Sequence, residues 1–100
     1  MFIAHVMFHV APAARQRAFD VLMNEISAVR AMEGCRLFVP FLHPDDSSCI
    51  GIIHEWDSAA AMTTYTASAG FAAVGQTLRP MMTSAPISKR FDAQLLETVN

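Results

Sequence analysis

The sequence predicts an α+β fold in the order β-α-β-β-α-β, with a four-stranded antiparallel sheet and its helices on one face. Three observations predict it. The first is a hairpin from Cys35 to Trp56, two apolar runs joined by the polar turn His43-Pro44-Asp45-Asp46-Ser47-Ser48. The second is a period-2 strand at each end of the chain. The third is a helical stripe between the first strand and the hairpin, with a further helical stretch after it.

The hairpin is the centre of the reading. With the turn centred between Asp45 and Asp46, Arg36 faces Glu55, Leu37 faces His54, Val39 faces Ile52 and Phe41 faces Ile50. Alternation then puts Cys35, Leu37, Val39, Phe41, Ile50, Ile52, His54 and Trp56 on one face, and Arg36, Phe38, Pro40, Leu42, Cys49, Gly51, Ile53 and Glu55 on the other. Both faces are mainly apolar, so both need cover.

Phe2 to Val10 alternates Phe2, Ala4, Val6, Phe8 and Val10 against Ile3, His5, Met7 and His9, the pattern of a first strand. Pro12 opens a helix from Ala13 to about Met32, whose stripe is Ala18, Phe19, Leu22, Met23, Ile26 and Val29. Asp20, Asn24 and Glu25 turn away from it, and Gly34 supplies the left-handed residue at its end. After the hairpin, Asp57 is placed to cap a helix from Ser58 to about Ala69, with Gly70 ending it. A shorter helix, Phe71 to Arg79, stops at Pro80, and the last strand runs from Ile87 to about Thr98 with Ile87, Lys89, Phe91, Ala93 and Leu95 on one face.

This order is the ferredoxin-like split βαβ, with spatial strand order 4-1-3-2. Two helical segments cover one face of four strands and leave the other bare. A second copy laid face to face is the simplest cover, giving a homodimer through the sheet. Composition agrees: the chain is 53% hydrophobic and 16% charged, well below the roughly 25% charged of an ordinary domain.

One hundred residues make a single domain spanning 1–100. Seven Lys or Arg and a net charge of −2 leave no basic stripe for nucleic acid. The start lacks the features of a secretory signal, and the uncharged stretch Ser58 to Leu78 is too polar for a bilayer, so a cytoplasmic protein with no membrane partner is expected. Cys35 and Cys49 fall on opposite faces and are not expected to bridge. No Cys/His spacing resembles a zinc site, and His5 and His9, four apart on a strand, are roughly 13 Å apart, too far to share an ion. No metal is expected.

Several residues stand where chemistry is available, each beside a structural alternative. Trp56 ends a strand next to a helix start, where an indole either walls a pocket or closes the core. His54, two residues away on the same face, is a candidate to accept a phenolic proton or a buried structural imidazole. Tyr65 shares a helix face with Ala61 and Met62, so its hydroxyl points to a ligand or to a backbone partner. His5, Met62, Phe71 and Arg90 are candidates for substrate binding, with Asp92 a simpler partner for Arg90. Met81 and Met82 suit an adaptable apolar cavity, or fill gaps in the core.

From Val10 to Phe71 the chain resembles the antibiotic biosynthesis monooxygenase family of dimeric α/β barrels. The matching pieces are Val10-Ala11-Pro12, Met32-Glu33-Gly34-Cys35, the Asp45-Asp46 turn, and His54-Glu55-Trp56-Asp57-Ser58 followed by Ser68 and Phe71. The resemblance implies oxygenation of a quinol-like or polyketide-like aromatic by molecular oxygen, with no cofactor. Relatives also degrade haem or isomerise small metabolites, and a non-catalytic ligand-binding barrel uses the same fold. Tyr65 stands where haem-degrading relatives carry a ligating His, and His54 stands where the family often has an acid.

Overall fold

The computed structural model describes residues 1–100. The strands are β1 (Phe2–His9), β2 (Cys35–Leu42), β3 (Cys49–Trp56) and β4 (Ile87–Asp92). The helices are α1 (Arg15–Arg30), α2 (Ala59–Thr66) and α3 (Ala69–Leu78), with short 3-10 turns at Pro12–Ala14 and Arg79–Met81. The sheet is antiparallel throughout in the order β2-β3-β1-β4, the expected ferredoxin-like topology.

The hairpin register differs from expectation by one residue. Cys35 faces Trp56 as expected, but a bulge follows, and Leu37 then faces Glu55, Phe38 faces His54 and Leu42 faces Ile50. The turn is centred on Asp46, whose Oδ1 accepts the Ser48 backbone N–H at 2.9 Å in an Asx turn. Because strand side chains alternate, that one-residue slip moves Phe38, Pro40 and Leu42 onto the face of Ile52, His54 and Trp56. Phe38 gains most, being 2% exposed against His54 and Tyr65. Arg36, released by the bulge, pairs with Asp57 instead of Glu55. Pro40 lacks an N–H, which an edge strand such as β2 tolerates.

The helices differ at their ends. Ser58, not Asp57, caps α2, its Oγ accepting the Ala61 N–H at 3.2 Å. The next break falls before Gly70, at Ser68, whose hydroxyl donates to the Tyr65 carbonyl at 2.6 Å and accepts the Phe71 N–H at 3.2 Å. Ser68 thereby ends one helix and caps the next. α1 stops at Arg30, and Gly34, with φ 84°, serves the turn into β2. β4 stops at Asp92 because its partner strand ends: Asp92 faces Phe2, and the Ala93 N–H already bonds the Met1 carbonyl.

One core results. Ala4 and Phe8 from β1, Val10 just beyond it, Ala18, Leu22 and Val29 from α1, and Phe38, Ile50, Ile52, Trp56, Met62, Tyr65 and Leu78 pack together on the helix side. Opposite stand Met7, Leu37, Val39, Ile53, Ile87 and Phe91, each more than a third exposed. On that face the Phe41 ring lies across Gly51, where an added Cβ would fall 2.1 Å from the ring's Cζ. Gly51→Ala is therefore expected to cost about 1–3 kcal/mol in urea unfolding. Pairing it with Phe41→Leu should recover part of that loss; an undiminished loss in the double variant would show that the ring is not the obstacle.

Candidate functional site

The ends of β3 and α2 converge on one aromatic cluster. Tyr65 is its hub. Its ring stacks on Trp56 with centroids 5.2 Å apart and planes at 19°, and meets Phe38, His54 and Phe71 edge-on. Trp56 is fully buried and donates its indole N–H to His54 Nδ1 at 2.8 Å.

That hydrogen bond fixes the chemistry of His54. An indole N–H only donates, so Nδ1 must be unprotonated. Burial, followed by the nearby positive charges of Arg90 and His5, holds the imidazole pKa down to about 4. His54 is neutral at pH 7 and carries its proton on Nε2. In that state it presents an Nε2 donor, while Nδ1, its acceptor, is engaged by Trp56.

Between α1 and α3, above Phe38, lies a cavity of about 230 Å³. Its apolar walls include Leu22, Val29, Met32, Tyr65, Phe71 and Val74. Glu25 and Ser68 are its polar edge. Ser68 is occupied in capping, which leaves the Glu25 carboxylate and the Tyr65 hydroxyl. No buried polar side-chain atom lacks a partner, so the Tyr65 hydroxyl, which bonds nothing else in the chain, is not sealed from solvent, and Tyr65 lines this cavity. Burial, then the negative charges of Cys35 and Glu25, pushes the Tyr65 pKa up to about 12. It stays a donor.

The structure brings Tyr65 and Phe71 to the cavity and puts His54 and Trp56 directly behind Tyr65. Met62 is core, 4% exposed. His5 projects from the opposite face, tilted on Phe91 at 5.3 Å, and does not join the cluster. Arg90 lies beyond Ala4 from His54 in the cross-strand row, its Nε 3.5 Å from Ser88 Oγ with no bond to Asp92. Met81 and Met82 pack on the core away from this cavity.

Glu25, Leu22, Phe38 and Met32 line the site without being singled out by the sequence reading. A signal for Glu25 exists: with Leu22, Val29 and Met32 it keeps the 3- and 4-residue spacing of one helix face, a lone carboxylate on an apolar stripe.

The family model for antibiotic biosynthesis monooxygenase matches residues 1–76. A comparison with curated proteins gave no match. Among solved structures, one from Deinococcus radiodurans that carries this family's name is 22% identical, covering all of this chain and 99% of that one, with a TM-score of 0.86. A Nitrosomonas europaea structure of the same family name is 10% identical over 95% of this chain and 100% of that one, with a TM-score of 0.89. A Mycobacterium tuberculosis structure, Rv0793, is 19% identical over 98% of each, with a TM-score of 0.86. No helix is long and apolar enough to cross a membrane.

The depressed His54 pKa sets a pH dependence of stability. The unfolded imidazole takes a proton from about pH 6.5 downward, whereas the folded one resists until about pH 4. Its contribution is complete above pH 6.5 and is lost as pH falls towards 4. Between pH 7 and 4 the stability difference between wild type and His54→Gln is expected to shrink by about 2–3 kcal/mol in urea titrations; parallel curves would refute the burial of a neutral imidazole. With its fold and the match over residues 1–76 taken together, the chain belongs to the antibiotic biosynthesis monooxygenase family.

Proposed function

We propose that this chain is a monooxygenase that oxidises a one- or two-ring hydroquinone or phenol in the cavity between α1 and α3, the aromatic itself supplying the electrons to O2. The observation that carries this reading is the pairing of a protonated Tyr65 hydroxyl with the Glu25 carboxylate on one otherwise apolar cavity. At about 230 Å³ the space is below the roughly 300–1,000 Å³ of drug-sized pockets, which favours a small aromatic.

Glu25 takes the phenolic proton, because His54 Nδ1 is engaged by Trp56 and Nε2 already holds a hydrogen. Tyr65 donates to the resulting oxyanion and holds it against the aromatic walls. The electron-rich anion passes one electron to O2, and superoxide and the ring radical combine to form a C–O bond. Loss of water from the peroxide leaves one oxygen atom on the ring. For a hydroquinone the reaction balances with one molecule of O2: one oxygen atom stays on the product, a hydroxyquinone, and the other leaves as water with two hydrogens drawn from the substrate. His54 and Trp56 support the Tyr65 ring from behind as positioning residues.

The experiment is oxygen uptake with a panel of hydroquinones. Wild type is expected to consume O2 above the uncatalysed rate, with Glu25→Gln lowering kcat about 100-fold. Tyr65→Phe should lower it at least about tenfold. Binding of a hydroquinone without protein-dependent uptake would replace this reading with ligand carriage.

The same family reading includes a second copy on the open face. Ile3, Met7, Leu37, Val39, Phe41, Ile53, Ile87 and Phe91 share that face, a patch too apolar to be left wet. At about 25 cal/mol per Å² of apolar area, covering it contributes many kcal/mol. Sedimentation is expected to give a 22 kDa particle, twice the 11.0 kDa chain, and Ile53→Glu to give the monomer. A wild-type monomer at micromolar concentration would sink the proposal.

A further inference from the structure

At the hairpin end of the sheet, three metal-ligating side chains from separate segments meet outside the cavity. His9 ends β1, Cys49 begins β3 as its direct cross-strand partner, and Asp46 sits in the turn between β2 and β3. Their ligand atoms all lie within 4.8 Å of one another, with His9 Nε2 3.2 Å from Asp46 Oδ2. We propose that His9, Asp46 and Cys49 bind a divalent cation of the zinc type, in a tetrahedral site whose fourth position is open to water.

The donor set fits such an ion. A neutral imidazole, a carboxylate and a thiolate supply two negative charges to a dication, and a nitrogen–oxygen–sulfur set suits borderline-soft zinc better than magnesium or calcium. Zinc bonds of about 2.0–2.3 Å in tetrahedral geometry separate the ligand atoms by roughly 3.3–3.7 Å. The His9–Asp46 pair already stands near that spacing at 3.2 Å, and the Cys49 sulfur lies within 4.8 Å of both.

The surroundings hold the ligands in place. Asp46 Oδ1 accepts the Ser48 backbone N–H at 2.9 Å and the Ser48 hydroxyl at 2.7 Å, which turns Oδ2 towards His9, the orienting role that outer partners play at metal sites. Arg15 Nη1 donates to the carbonyls of His43, Asp46 and Cys49 at 3.1, 3.0 and 3.5 Å, tying the turn to the start of β3. The His9 carbonyl accepts the Thr83 N–H at 2.9 Å, and the Val10 N–H bonds the Ser48 carbonyl at 2.9 Å. All three ligand-bearing segments are thus pinned before any ion arrives. His9 and Asp46 are 37% and 42% exposed, so the ion has an entry path, while Cys49 is buried beneath them.

An ordinary His–Asp pair would account for the 3.2 Å contact but not for the thiol placed beside it. Burial and the Asp46 carboxylate push the Cys49 thiol up, so an ion entering at neutral pH has to displace its proton.

The test uses the full chain, treated with chelator and titrated with Co²⁺ alone. One equivalent is expected to produce a near-ultraviolet thiolate-to-cobalt band and the visible bands of tetrahedral Co²⁺, with proton release, and Zn²⁺ should abolish them by competition. Cys49→Ser should lose the near-ultraviolet band, His9→Ala and Asp46→Asn should each weaken binding at least about tenfold, and Cys35→Ser should change nothing. If Cys49→Ser fails to fold, the two surface variants decide. A spectrum of octahedral Co²⁺ only, a band that follows Cys35, or affinity unmoved by both His9→Ala and Asp46→Asn would overturn the site.

Discussion

A sheet that is apolar above and below, with helices on one side alone, constrains everything else in this molecule. Ala4, Phe8, Phe38, Ile50, Ile52 and Trp56 are sealed under α1, α2 and α3, and that face is where a dry site can exist. A low-dielectric setting is what keeps an imidazole neutral and a phenol protonated far from their ordinary pKa values, as at His54 and Tyr65. The opposite face holds side chains of the same apolar kind, yet they are open and carry no comparable cluster. Burial therefore gives the two sides of a layer one strand thick different environments.

Within the covered face, the indole–imidazole hydrogen bond and the stacked Tyr65 ring act as one unit. Trp56 holds a single His54 tautomer, His54 and Phe38 meet the Tyr65 ring edge-on, and Tyr65 itself lines the cavity. Ser68 contributes from outside the cluster. By accepting the Phe71 N–H and donating to the Tyr65 carbonyl, it bends the chain between α2 and α3, so that Tyr65 and Phe71 face each other across 5.2 Å. Without that bend a continuous helix would carry Phe71 along the α2 axis and open the cavity wall.

The topology is legible in the sequence because it depends on periodicity. Phe2 to Val10, the α1 stripe and the hairpin each span enough residues for the period to show. Tyr65, Phe71, His54 and Trp56 are legible as a neighbourhood for the same reason. What is not legible depends on single residues. No local signal in Cys35-Arg36-Leu37 distinguishes a bulge from a regular strand, and with both faces apolar the pattern does not penalise the wrong register. Sequence alone therefore puts Phe38 on the face opposite His54 and Trp56, and the cavity loses its floor. The His9, Asp46 and Cys49 cluster is hidden differently: its members come from two strand ends and a turn, so no sequence spacing reports it.

The bulge also shows how a sheet can keep its strand order while the side chains under its helices change. The turn sets the pairing from Leu42 to Leu37, whereas Cys35 keeps its place opposite Trp56, and the one extra residue between them absorbs the mismatch. Moved by one position, the same β2 sequence would send Leu37, Val39 and Phe41 inward and Phe38 outward, with every backbone pairing still satisfied. Strand order, helix positions and the apolar character of both faces would survive unchanged. The aromatic floor would not, nor would the space that leaves Gly51 under the Phe41 ring on the far side. Fold likeness at 10–22% identity is thus compatible with different cavities, because what the overall backbone shape preserves is strand order and what the chemistry needs is the side each residue takes.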